Sequence, residues 1–275
     1  MKQIAVLGPK GTYSDIACQK YINENNLDLE IIYYPSILKV SNAIDDNTIA
    51  ILPFENTLDG FVIESMDQII NKKLHIVAQT KLEIDFAFVT NEKSINDVKK
   101  CFVQFKAYGQ CLDFISNNSF DVITTQSNME SVLRLSNEKN GFAAIVPMHI
   151  LDEYNYSLII PHVADSKANE TRFFIVQKDA SNITYNSKVN ASIVLTALDD
   201  YPGLLYVILK EFHKYDINLN AIMSRPMKTE MGKYKFFFEC SLSPSQIYRL
   251  DEIADILKKE CRVLVEILGI YNLIK

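Results

Sequence analysis

The chain has 275 residues, 48% hydrophobic and 23% charged, which excludes an intrinsically disordered chain and allows one large or two ordinary domains. A net charge of -6 argues against nucleic acid and anionic membranes as partners, so an anionic ligand has to be captured by local donors. Five cysteines without Cys-x-x-Cys spacing read as reduced thiols in a cytoplasmic protein. Four scattered histidines lack ligand spacing and give no metal, and no stretch has the length of a signal peptide or a membrane span.

In chain order, Ile4 to Leu7 reads as a buried strand, broken by the turn Gly8-Pro9-Lys10-Gly11-Thr12-Tyr13-Ser14 and followed by a helical pattern from Asp15 to about Asn23. Strand, glycine-bearing turn and helix start form a recipe for anion binding: backbone N–H groups are approachable and the helix start adds partial positive charge. The turn matches neither the dinucleotide fingerprint nor the nucleotide phosphate loop. A second strand, Thr48 to Leu52, runs into Pro53-Phe54-Glu55-Asn56-Thr57-Leu58-Asp59-Gly60 and a helix from about Phe61. Polar residues where a strand's carboxyl end meets a helix start occupy the position at which open α/β sheets bind ligands, the alternative for Glu55 and Asn56 being a capped turn.

Lys81 to Val89 alternates as one half-exposed strand. Three strand-helix units follow: Val98 to Phe105 with a helix containing Gln110 and Cys111, Asp121 to Thr124 with a helix containing Met129, and Gly141 to Val146 with a helix from about Met148 to Tyr154. Leu158 to Ile160 then returns the chain toward Asn169-Glu170-Thr171-Arg172-Phe173 and the apolar run behind it. Thr171 offers a hydroxyl that both donates and accepts, and Arg172 a planar fork suited to carboxylates. On residues alone this is an anion-facing strand end or a strand cap with a surface charge. The pattern predicts two α/β lobes with a cleft between them. Polar residues from Lys178 to Lys188 mark a boundary. Beyond it the order strand, helix, strand, strand, helix, strand is ferredoxin-like, with Leu204, Leu205, Ile208, Leu209 and Phe212 as a core-facing stripe.

Four segments taken together resemble the prephenate dehydratases. Gly8 to Ser14 looks like that family's first motif and Pro53 to Gly60 its second, with Thr57 where serine is usual. Gln110-Cys111 matches a later pair, and Thr171-Arg172-Phe173 the motif that carries the catalytic threonine. The C-terminal module resembles the ACT amino-acid-sensing domain through Asp200-Tyr201-Pro202-Gly203-Leu204-Leu205 and Ser224-Arg225-Pro226. Two departures stand out. Val103-Gln104-Phe105 replaces a usual serine-histidine-proline run, and Met223 stands where glutamate is usual.

The resemblance implies an α/β, two-lobed, periplasmic-binding-protein-like catalytic domain over residues 1–180, with lobe one at about 1–77 plus 158–180 and lobe two at about 78–157. A linker over 181–190 leads to a ferredoxin-like (ACT) α+β domain over 191–275. It implies decarboxylating dehydration of prephenate to phenylpyruvate without a cofactor, feedback by L-phenylalanine, and a homodimer or homotetramer. It assigns catalysis to Thr171, Arg172, Glu55, Asn56 and Gln110. Substrate binding falls to Gly8, Pro9, Gly11, Thr12, Tyr13, Ser14, Thr57, Gly60 and Phe173. Phenylalanine binding falls to Asp200, Tyr201, Pro202, Gly203, Leu204, Leu205, Asn218, Met223, Ser224, Arg225 and Pro226. Under this reading Thr171 donates at the leaving hydroxyl, and Arg172 takes a carboxylate or shapes the site. The Gly8–Ser14 turn holds the other carboxylate. The alternatives are an arogenate dehydratase and a non-catalytic binding protein for a small anion or amino acid.

Overall fold

The computed structural model describes residues 2–138, 140–180, 185, 187–199, 201–227 and 234–273. Lobe one opens with β1 (Gln3–Leu7), α1 (Tyr13–Glu24), β2 (Glu30–Tyr34), α2 (Ile37–Asn42), β3 (Thr48–Asn56), β4 (Gly60–Phe61), α3 (Ile63–Asn71) and β5 (His75–Glu83). Lobe two carries β6 (Phe86–Thr90), β7 (Lys100–Gln104), α4 (Phe105–Gln110), α5 (Leu112–Ser116), β8 (Asp121–Thr125), α6 (Asn128–Asn137), β9 (Phe142–Pro147) and β10 (Leu158–Ile160). The chain re-enters lobe one as β11 (Glu170–Gln177). The C-terminal domain follows as β12 (Val189–Ala197), α7 (Leu204–Lys214), β13 (Asn218–Pro226), β14 (Tyr234–Leu242), α8 (Arg249–Cys261) and β15 (Val263–Asn272).

The three units have separate sheets, ordered β2-β1-β3-β11-β5 in lobe one, β10-β6-β9-β7-β8 in lobe two and β13-β14-β12-β15 in the C-terminal domain. The last is the ferredoxin-like order, and together they form the two-lobed α/β architecture with an α+β appendage. In lobe one, β11 runs antiparallel between β3 and β5. The late return strand therefore sits in the middle of the first sheet, beside the strand that carries Glu55 and Asn56.

Several expected boundaries move. The Lys81–Val89 alternation is two strands in two lobes: β5 pairs with β11, β6 pairs with β9 and β10, and the chain crosses at Ile84-Asp85. β6 is also buried throughout instead of half-exposed, because β9 and β10 flank it on both edges. Lobe one therefore extends through β5. Leu158–Ile160, expected in lobe one, pairs with β6 in lobe two, and the return crossing lies between β10 and β11. The stretch after β9 is a 3-10 helix, Met148–Glu153, and α7 starts at Leu204 behind Gly203, whose φ of 93° only glycine adopts freely. Short, part-exposed β2 and α2 carry little periodicity and were not anticipated. All five cysteines are buried free thiols.

One apolar core runs across the domain boundary. Phe54, Met66, Ile70, Ile76 and Phe174 of lobe one pack with Val194, Phe237, Leu268 and Tyr271 of the C-terminal sheet. β15 lies directly against β5, and a Cβ built on Gly269 would sit 2.0 Å from the Ile76 carbonyl oxygen. The other face of the C-terminal sheet is covered by α7 and α8 through Ile208, Phe212, Ile253 and Leu257.

Candidate active site

A cleft of about 420 Å³ opens between the lobes. Its polar lining comes from the start of α1 (Thr12, Tyr13, Ser14), the ends of β3 and β11 (Asn56, Asp59, Thr171), α4 (Lys106, Gln110) and the start of α6 (Gln126, Ser127, Asn128). Its apolar wall is Leu7, Ile37, Val62, Ile84, Phe86 and Phe173.

The register of β3 and β11 explains what reaches the cleft. Thr171 is opposite Asn56, and Arg172 is opposite Glu55. Successive side chains on a strand leave opposite faces, so Thr171 and Phe173 face the cleft while Arg172 and Phe174 face the C-terminal domain. The Asn56 amide nitrogen lies 3.0 Å from Thr171 Oγ1, 2.8 Å from Asn169 Oδ1 and 3.1 Å from the Glu170 carbonyl. Its carbonyl oxygen accepts the N–H groups of Leu58 and Asp59, which fixes the amide orientation. Asn169 in turn donates to Gln110 Oε1 at 2.9 Å, and Gln110 donates to Asp59 at 3.4 Å. Asn56, Asn169, Thr171 and Gln110 thus form one network across both lobes. In it Thr171 Oγ1 accepts from Asn56.

The first motif is built around a buried carboxylate. Asp15 accepts from Gly11 N–H at 2.8 Å, Tyr33 OH at 2.8 Å and Gln19 at 3.0 Å. Gly8 N–H is bound to the Tyr34 carbonyl. The turn's glycine N–H groups are therefore already used, and Pro9 and Gly11 do not line the cleft. The open donors are the first-turn N–H groups of α1, at Tyr13 and Ser14, which a helix leaves without an internal acceptor. Thr57 stitches a loop, donating to the Ala168 carbonyl and accepting from Glu170 N–H, and Gly60 at φ 75° closes the β3–β4 hairpin. Neither lines the cleft. Gly8, Thr12, Tyr13, Ser14, Asn56, Gln110, Thr171 and Phe173 do.

Arg172 and Glu55 are absent from the cleft wall, so a carboxylate-binding role for Arg172 is corrected. Its guanidinium pairs with Glu55 at 2.7 Å and, as a fork, with Glu239 on β14 at 2.5 and 2.7 Å. In the C-terminal domain, Met223 packs on the lobe-one core and Arg225 pairs with Asp67 of α3 at 2.9 Å. Both face the catalytic half. Tyr201, Asn218, Ser224 and Pro226 are exposed, Leu204 and Leu205 belong to the domain's own core, and Asp200 lies outside the described residues.

Several contributors were not assigned from the sequence, Gln104, Gln126 and Ser127 of the lining among them. Asn169 sits inside the quoted motif, one residue from the strand. Asp59 and Lys106 form an oppositely charged pair in the cleft at 3.9 Å. Asn128 lines the cleft with a buried Oδ1 that has no hydrogen-bond partner among the described residues. The start of α6 was legible in Ser127-Asn128-Met129-Glu130, a Ser-x-x-Glu capping pattern: Ser127 Oγ accepts from Glu130 N–H.

Lobe-to-lobe contacts hold the turn in place. Tyr13 donates to the Asp85 carbonyl at 2.6 Å, and burial pushes its phenol far above the usual value, so it acts as a neutral donor. Cys111 is likewise held as a neutral thiol, pushed up to about 12 chiefly by burial. His149 packs edge-on to Tyr13, and its Nε2 lies 3.0 Å from the Gly11 carbonyl. Burial lowers the His149 pKa, opposed by that carbonyl and by Glu153 and Asp15. Its folded value therefore lies below the unfolded one of about 6.5. Stability is intact above that pH and is lost as pH falls below it, where the unfolded chain takes up the proton first. We expect His149→Gln to flatten the fall in melting temperature between about pH 7 and pH 5; an unchanged slope removes His149 from that role.

A family model described as prephenate dehydratase matches residues 4–181. The prephenate dehydratase of Methanocaldococcus jannaschii is 30% identical over 265 residues, covering 96% of this chain and 95% of that protein. The solved prephenate dehydratase of Staphylococcus aureus is 30% identical, covers 98% of this chain and 100% of that one, and superposes with a TM-score of 0.84. That of Arthrobacter aurescens, solved in complex with L-Phe, is 22% identical, covers 98% of this chain and 90% of that one, and also gives 0.84. The chain belongs to the prephenate dehydratase family.

Proposed function

We infer that the cleft carries out its family's reaction: prephenate dianion gives phenylpyruvate, carbon dioxide and hydroxide as the ring becomes aromatic. The observation that carries this is the Thr171–Asn56–Asn169–Gln110 network, assembled from three distant stretches of chain across the two lobes at the cleft. Thr171, its lone pair engaged by Asn56, directs its proton to the departing ring hydroxyl. The carboxylate that leaves as carbon dioxide needs little solvation, and the Phe86, Phe173 and Ile84 wall suits it. The retained carboxylate is met by the α1 start and by Lys106, the only lysine or arginine among the described residues lining the cleft. Asn128 Oδ1 is an acceptor for the ring hydroxyl. The test is phenylpyruvate formation from prephenate, followed spectrophotometrically; a folded protein that forms none overturns this reading.

Lys106→Met is expected to raise KM for prephenate about tenfold and to change kcat far less, since a charge contact made equally in ground and transition states shows in KM. An unchanged KM excludes Lys106 from substrate binding. Asp59, the cleft's carboxylate, is an acceptor for an ammonium group, which makes arogenate the competing substrate. A side-by-side assay decides between them.

The C-terminal domain we assign as an ACT-type sensor that binds L-phenylalanine, the ligand of the Arthrobacter structure, at the Tyr201–Leu205 turn and the exposed residues of β13. Inhibition then requires that the amino acid prefer one cleft state over the other. Calorimetry with L-phenylalanine tests it. Among the described residues β13 pairs only with β14, and its free edge is what a second copy would extend in a homodimer or homotetramer.

A further inference from the structure

We propose that Glu239, on β14 of the C-terminal domain, is a positioning residue for the cleft: through Arg172 it fixes where Thr171 presents its hydroxyl. This rests on the functional reading above and names a part of the machinery that lies outside the catalytic lobes.

The geometry is that of a built connection. Glu239 is 1% exposed, and its carboxylate takes the Arg172 fork at 2.5 and 2.7 Å, Asn190 at 3.1 Å and Tyr271 OH at 3.2 Å. Ser192 fixes Tyr271 from behind at 2.6 Å. Arg172 lies against the packed ring pair of Phe54 and Phe174, at 5.5 and 5.3 Å from their centroids, and also reaches Glu55. Glu239 is its better-shielded anchor, 1% exposed against 36% for Glu55, while Gln79 of β5 adds a contact at 3.3 Å.

Thr171 is the next residue, on the opposite face of the strand. Just beyond the pair the β11–β3 register slips: Arg172 is opposite Glu55, but Phe173 is opposite Pro53, leaving Phe54 unpaired. A bulge disrupts the ladder locally, and Pro53 has no N–H to give it. On the β3 side the ladder is interrupted here, while β5 pairs the same residues from Glu170 to Ile175, so the strand end is held by backbone on one edge and the Arg172 anchor steadies the other. The side-chain period of two then carries any shift of Arg172 to Thr171 with opposite sense, altering the Thr171–Asn56 contact of 3.0 Å.

The test is a double-mutant cycle in the prephenate assay, run well below each variant's melting temperature. Glu239→Gln is expected to lower kcat at least tenfold with KM unchanged, and to cause less than a twofold further loss when added to Thr171→Ala. A purely structural tie lowers both backgrounds alike, so equal losses overturn the proposal, as does a kcat within twofold of wild type. Where Glu239→Gln fails to fold, the paired replacement Arg172→Met with Glu239→Leu removes both buried charges together and is read by the same criteria. No turnover by the wild type overturns the functional reading and this inference with it, whereas wild-type turnover with an insensitive variant overturns this inference alone.

Discussion

Thr171→Ala is expected to fold and melt as the wild type does while losing a hundredfold or more in kcat. The side chain is small and sits at a cleft wall, so its removal opens no core cavity; the buried neighbour Phe173 and the β11 ladder remain. What disappears is a hydrogen-bond donor aimed at a leaving group that develops negative charge only in the transition state. Removing one such preorganised donor costs about 10²–10³ in turnover. A threonine hydroxyl is a weak acid, so its part is to stabilise departing hydroxide, with complete proton transfer left to water. Thr171→Ser keeps the donor and the Asn56 contact and is expected to retain most activity. Steady-state kinetics on both variants provides the check, and an alanine variant within a few-fold of wild type would take Thr171 out of the mechanism.

The second large effect is on stability. Gly269→Ala places a methyl 2.0 Å from the backbone carbonyl of Ile76. A flexible side chain turns away from such an intrusion; a strand carbonyl does not, because Ile76, near the start of β5, is itself paired to Val176 of β11. The whole β15–β5 contact has to separate. Overpacking costs about 1–3 kcal/mol in ordinary cores, and this geometry belongs at or beyond the upper end. At about 3 kcal/mol the melting temperature falls by about 10 °C in calorimetry. Gly109→Ala, where a Cβ meets nothing within 4 Å, serves as the neutral comparison. An unshifted melt for Gly269→Ala would mean that the two domains are not in contact along this strand.

Much of the architecture is legible in local patterning. The strand-turn-helix units and the ferredoxin-like order follow from runs such as Ile4–Leu7, from the Leu204–Phe212 stripe and from turn residues between them. Thr171 and Asn56 were legible as cleft candidates, because polar groups at strand ends are where α/β proteins keep their sites, whereas Gln110, at the end of α4, entered only through the family resemblance. Arg172 shows what was lost. Adjacent strand residues cannot share a face, so Thr171 and Arg172 could not both reach one cleft. Deciding which of them turned away required Glu239, 67 residues distant and on another sheet. The lobe crossing at Ile84-Asp85 was hidden for a related reason. An alternating pattern gives the pleat and says nothing about which neighbour each half will find, and here β5 and β6 found different ones. The Asp59–Lys106 pair had no sequence signal, since only folding brings the two together.

The apolar core shared by lobe one and the C-terminal sheet bears on how such an appended domain is inherited. A module tethered only by a linker can be swapped like a cassette between unrelated enzymes. Here excision would leave Phe54, Met66 and Ile76 facing water, and would strip Phe237, Leu268 and Tyr271 of their cover. The truncated halves would be sticky fragments, each a poor candidate for independent life, so the two parts of this chain are constrained to diverge in step.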